Sequence, residues 1–179
     1  MEQAQRERNI AVLDWFNAIL IAFTVALLLL VFVFRTGRVE GNSMLPTLTD
    51  NDQVLARSIF YTPQRGDIVV VDGYIDYGAP IVKRVIGIAG DTIDIDFTSG
   101  AVYVNGVLQQ ENYISAPTTN AYDVVFPVQV PENCVFLMGD NRPHSKDSRD
   151  SEIGMISNHD ILGKVVLRIF PATKFGSVE

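Results

Sequence analysis

The chain has 179 residues, 47% of them hydrophobic, and a formal net charge of −7. That length supports one domain with a real core plus an appendage, and is too short for two domains of ordinary size. An acidic chain without a basic run does not suit a nucleic-acid surface, and a single cysteine, Cys134, has no partner for an internal disulfide.

The first element in chain order is apolar. From Trp15 to Phe34 the sequence reads "WFNAILIAFTVALLLLVFVF", without a charge and with Asn17 and Thr24 as its polar interruptions. As a helix rising about 1.5 Å per residue, it spans roughly 30 Å, the thickness of a bilayer's hydrocarbon. A cleavable signal peptide has an apolar core of about 7–15 residues followed by small residues. Here "VFVFRTGRVE" follows instead. The segment 15–34 is therefore predicted to be an uncleaved transmembrane helix after a tail of residues 1–14, with Trp15 at the interface. A buried soluble helix is the competing reading. Arg6 and Arg8 precede the run while Arg35 and Arg38 follow it, so charge does not assign sidedness. Because Arg6 and Arg8 stand against Glu2, Glu7 and Asp14, residues 1–34 carry −1 and the remainder −6.

Residues 35–179 carry strand signals and almost no helical period. "DIVVVDG", "IVKRVIGIAG", "DTIDIDF", "AVYVNGVLQ", "CVFLMGD" and "KVVLRIF" are short, β-branched and bounded by Gly, Asp or Pro. "TSG" before Ala101 and "NG" at Asn105 and Gly106 are tight reversals, which predicts local antiparallel pairing. Near 109–129 alternation fades and prolines appear, so this part reads as an excursion over the surface. Cys134, in "NCVFLMGD", reads as a small apolar strand residue.

Three stretches are candidates for chemistry. "VEGNSMLPTLTD" holds Ser43 in a short loop after the apolar run. A serine hydroxyl needs a neighbouring base to attack at neutral pH. Neither His144 nor His159 sits in a setting that suggests a histidine-led triad, and Lys146, Lys164 and Lys174 read as solvated ammonium groups. Lys83 differs: with period two it shares a strand face with Ile81 and Val85, while Arg84 points the other way. Burial would lower its pKa, and a lysine that snorkels to a sheet edge remains the alternative. The third stretch, "MGDNRPHSKDSRDS" from Met138 to Ser151, combines acids, arginines and serines in a way that suggests an ordered polar network rather than a calcium loop or a zinc site.

Taken in order after an apolar span, "GNSMLPTL", "KRVIGIAGD" and "GDNRPHSKDSR" resemble the bacterial type I signal peptidases, a family of Ser–Lys serine proteases. The resemblance also takes in "GDIVVV" and "VPENCVFLMGDNR". It implies an all-β, mostly antiparallel fold of the signal-peptidase and repressor-protease type, residues 35–179, preceded by one N-terminal transmembrane helix. It implies that Ser43 is the nucleophile, Lys83 the general base and Ser145 the residue that orients the lysine. Asp147 and Arg149 would form a buttressing ion pair, and Arg84 is expected to pair with Asp140. The Ser43 backbone N–H is the candidate oxyanion donor, since Gly41 offers no side-chain donor two residues earlier. Met44 would pack beneath the loop, and Pro46 would restrict it.

The implied reaction removes N-terminal signal peptides from exported precursor proteins. No metal or other cofactor is implied; the partners are the precursor and the lipid bilayer. The domain would lie on the outer face of the cytoplasmic membrane, and residues 36–42 and 80–82 would pair with the substrate backbone. Ile59, Phe60 and Tyr61 fit either core packing or contact with lipid. Two other functions remain as alternatives: a catalytically inactive, anchored peptide-binding module, and a self-cleaving repressor-type protease. A hydrolase dependent on His144 would lose activity on its replacement by alanine, and none is expected to be lost.

Overall fold

The computed structural model describes residues 2–73 and 79–178, which form two compact units, 1–34 and 35–179. In the first, α1 runs over Glu2–Val33, so the charged tail continues the same helix as the apolar run. Its stretch Val12–Val33 is long and apolar enough to cross a membrane, and none of its described side chains is buried.

The second unit is built of strands joined by turns and short 3₁₀ segments. In chain order they are β1 (Phe34–Arg38), β2 (Gln53–Arg57), β3 (Ile68–Val71), β4 (Ile81–Ile88), β5 (Thr92–Asp96) and β6 (Ala101–Val104). The rest are β7 (Val107–Leu108), β8 (Val128–Gln129), β9 (Cys134–Met138), β10 (Ile156–Ser157), β11 (Ile161–Phe170) and β12 (Gly176–Ser177). Among the described residues, one sheet has the order β1-β2-β11-β3-β4-β9-β10, with β12 on β11, and a smaller one the order β7-β6-β5-β8. The strand pairs from β2 onward are antiparallel in both sheets.

The local reasons are legible. β5 alternates exposed and buried residues, as a strand with one wet face must, and Ile93 and Ile95 enter the core. The β6–β7 reversal falls on Asn105 and Gly106, both at positive φ (54° and 75°), which suits the twist of a two-residue hairpin. By contrast β3 and β4 are buried almost throughout, the cations Lys83 and Arg84 of β4 included, because the large sheet is covered on both sides.

Three apolar clusters follow from this. Ile86, Phe136 and Met138 of the large sheet pack on Ile93, Ile95, Val102 and Val104 of the small one. Val39, Met44, Leu48, Val54, Ile68 and Val165 form a second cluster, which fastens the loop after β1. Val69, Val71, Val85, Leu137 and Ile156 form the third. Each such side chain contributes roughly 1.5–3 kcal/mol when fully buried. Within the trio after β2, Tyr61 packs against the third cluster and donates its hydroxyl to Asp67 at 2.8 Å, as core packing expects, whereas Phe60 is fully exposed.

Candidate active site

The loop joining β1 to β2 is a closed turn. The Val39 N–H donates to Asp52 O at 2.8 Å, the Asn51 N–H donates to Val39 O at 2.9 Å, and the Gly41 N–H donates to the Asp50 carboxylate at 2.8 Å. Val39 and Met44 enter the second cluster, at 2% and 1% exposed, which leaves the half-buried Ser43 between two buried anchors. The Leu45–Pro46 peptide is cis.

Lys83 reaches this serine from β4. Its cross-strand partner is Val69, itself in the third cluster, while the next residue, Arg84, stands opposite Ile68 of the second. Lys83 is 4% exposed, and its Nζ lies 2.8 Å from Ser43 Oγ. Burial pulls the amine down to about 8; the carboxylates of Asp147 and Asp140 oppose that shift and the Arg149 guanidinium adds to it. An amine at that value is largely available as a base in mildly alkaline water, and a hydroxyl at 2.8 Å is within proton-transfer reach.

The turn after β9 closes the site from the other side. The Asn141 N–H donates to Ser43 O at 3.0 Å, and its side-chain amide donates to Asn42 O at 2.9 Å. Asp140 accepts two hydrogen bonds from Arg84, both at 2.8 Å, and a third from Thr47 Oγ1 at 2.5 Å. Asp147 and Arg149 form a second two-pronged pair at 2.8 and 2.9 Å, with both side chains fully buried. The free edge of each ion is used as well: Asp147 accepts from the Gly139 N–H at 3.0 Å, and Arg149 donates to the Ser145 and Arg142 carbonyls at 3.1 and 2.9 Å. Charges withdrawn from water persist when their partners are this complete.

Ser145 lies inside this frame but does not hydrogen-bond Lys83. Its Oγ is buried without a hydrogen-bond partner. It abuts Gly139, where an added Cβ would fall 2.2 Å from Ser145 Oγ and 2.5 Å from Ser43 O. The close approach of the two serine segments therefore requires glycine at this position. No described residue accepts a hydrogen bond from the Ser43 N–H, and Gly41, at φ +79°, brings no side chain beside it.

A cleft of about 530 Å³ opens over Ser43 and Lys83, walled by 38–44 and 79–83 and, at its other side, by Tyr122, His144 and Lys146. It adjoins a more apolar hollow of about 300 Å³ that includes Gly37, Val54, Ala56, Val70 and Val82. Arg38, Glu40, Ala79, Pro80 and Val82 line both, so they form one groove along β1 and the approach to β4. Sequence reasoning did not single out Gly139, Asn141, Thr47 or Tyr122. The first two stand within "GDNR", where a glycine next to a carboxylate and an amide is a usable signal; Thr47 and Tyr122 carry none.

The sequence pattern described as "Signal peptidase, peptidase S26" matches residues 12–170, which include all of these side chains. The chain belongs to this peptidase family. Signal peptidase I P of Bacillus subtilis subsp. natto is 35% identical over 181 residues, covering 96% of each chain. Signal peptidase I of Bacillus licheniformis is 36% identical over 180 residues, covering 95% of this chain and 94% of its own. The crystal structure of a signal peptidase I from Enterococcus faecalis V583 has the same fold, with a TM-score of 0.50 and 29% identity over 58% of this chain and 97% of that one. The antiparallel β-fold behind one N-terminal apolar helix is thus a signal peptidase I fold.

Proposed function

We propose that this peptidase is anchored in the membrane by α1 and removes N-terminal signal peptides from exported precursors, with Ser43 as nucleophile and Lys83 as general base. The observation that carries the reading is the 2.8 Å approach of a buried, pKa-lowered amine to a serine hydroxyl. In the neutral state the amine accepts the Ser43 proton as Oγ attacks the carbonyl carbon of the scissile bond. The oxygen of that carbonyl gains the charge, and the Ser43 N–H is its donor; such donors contribute about 3–4 kcal/mol each. The ammonium then gives its proton to the leaving amine, which becomes the mature N-terminus. A water molecule repeats the sequence on the acyl-enzyme: Lys83 takes its proton, hydroxide adds, and Ser43 leaves as the alcohol.

The groove supports the substrate class. An extended peptide laid along β1 and the segment before β4 finds backbone partners at its edges and shallow apolar walls at Val54, Ala56 and Val82, which favour small side chains before the cut. Exported precursors emerge on the outer face of the cytoplasmic membrane, and the catalytic unit belongs there. Asp140, Arg84, Asp147 and Arg149 act as framework and Ser145 as the lysine's neighbour.

The test is processing of a signal-peptide-bearing precursor by the detergent-solubilised chain, with the product's N-terminus sequenced. Ser43→Ala and Lys83→Ala are expected to be folded and inactive. Processing by the Ser43→Ala protein would end the proposal.

A further inference from the structure

The irregular stretch after β7 directs Glu111, Tyr113, Thr118 and Tyr122 into the catalytic turn rather than into water. Glu111 accepts from both terminal nitrogens of Arg142, at 2.8 and 2.6 Å, and Thr118 Oγ1 accepts from one of them at 2.7 Å. The Arg142 side chain is fully buried, and its Nε donates to Gly139 O at 3.1 Å. Tyr113 donates its hydroxyl to Glu111 at 3.0 Å, and its ring lies 4.0 Å from the Arg84 guanidinium carbon and 5.9 Å from that of Arg142. Farther along, the Asn120 carbonyl accepts from Arg149 at 3.0 Å. Tyr122 OH donates to Ser145 O at 3.0 Å, its ring is 5.3 Å from the Arg149 guanidinium carbon, and it walls the cleft over Ser43 and Lys83.

We propose that residues 111–122 are a strap in which Tyr122 and Glu111 are positioning residues for the Ser43–Lys83 pair, acting through the Ser145 and Gly139 carbonyls. The inference rests on the reading of Ser43 and Lys83 as the reacting groups. The Ser145 carbonyl has two donors, Tyr122 OH and Arg149, and together they fix the residue whose buried hydroxyl abuts Gly139. The Gly139 carbonyl is fixed by Arg142, and Arg142 is oriented by Glu111. Thus Gly139, which packs against the Ser43 carbonyl, and Ser145, which packs against Gly139, are both held by a segment that contains no reacting group. A guanidinium withdrawn from water keeps its geometry only while each donor is used, so the strap sets the turn's position rather than merely covering it.

The experiment is steady-state cleavage of a precursor peptide by the full chain in detergent, comparing wild type, Tyr122→Phe, Glu111→Gln and Ser43→Ala. Tyr122→Phe keeps the ring that walls the cleft and removes one hydroxyl. It is expected to lower kcat about tenfold, the size of one hydrogen bond's contribution, lost here at the Ser145 carbonyl, with KM within about twofold. The acidic limb of the kcat profile, set by Lys83 facing Asp140, Asp147 and Arg149, is expected to move to higher pH, because a loosened turn admits water to the amine. Glu111→Gln is expected to move both readouts the same way. With Ser43→Ala inactive, a Tyr122→Phe enzyme of wild-type kcat, or one whose kcat falls with melting temperature while the limb stays still, overturns the strap alone. An active Ser43→Ala enzyme overturns both the strap and the reading beneath it.

Discussion

Lys83 and Arg84 are neighbours on β4, both cationic by type and both withdrawn from water, at 4% and 2% exposed. Arg84 faces the Ile68 side and meets the Asp140 carboxylate squarely, with two bonds at 2.8 Å and a third donor spent on Gly66 O. Lys83 faces the Val69 side and finds a hydroxyl at 2.8 Å; the carboxylates that influence it act from beyond hydrogen-bond range. The contrast teaches that burial alone does not make a cation reactive. A guanidinium with a matched carboxylate becomes framework, while an amine denied one holds its proton less tightly and can give it up in mildly alkaline water.

Making the two positions alike should erase the difference. Lys83→Arg keeps a cation in place but not a group that can release a proton near neutral pH, so activity should fall about a thousandfold or more, measured by precursor cleavage. The reverse operation is to strip Arg84 of its partner. Asp140→Ala should cost about 3–5 kcal/mol of stability, because it removes the carboxylate matched to a buried guanidinium, and denaturant unfolding would register it. Gly139→Ala should have a smaller effect, about 1–3 kcal/mol of strain, expressed chiefly as lost turnover because the new methyl group pushes on both the Ser145 side chain and the Ser43 carbonyl. The mildest change is in pH dependence. The wild-type rate should rise with pH through a limb near about 8, as Lys83 gives up its proton. Asp147→Asn removes a charge that raises the lysine's pKa and leaves Arg149, which lowers it, so the limb should move to lower pH. A limb that moved upward would contradict this sign.

The strands were readable because their patterns are local. β5 alternates, β3 runs apolar, and the β6–β7 reversal carries its own "NG". The odd placement of Lys83 among Ile81 and Val85 was visible for the same reason. What the sequence did not disclose was where the polar ends of the 109–129 excursion would go. Glu111, Tyr113, Thr118 and Tyr122 look like ordinary loop residues, and only the fold sets them against Arg142, Arg84 and Ser145. Nor did any pattern indicate that Ser145 Oγ would be left without a partner while its carbonyl takes two hydrogen bonds. Such outcomes depend on tertiary distances that neither period nor propensity encodes.

The hydroxyl and the amine come from positions 40 residues apart, and the amide that clasps the serine segment comes from 99 residues beyond Asn42. During synthesis the N-terminal part of the chain is therefore exposed long before the segment that completes its catalytic apparatus has been made. A nascent or truncated product ending before β9 would lack the Asn141 clasp on the serine segment, and the Ser43–Lys83 arrangement would be closed in only when the late turn docks.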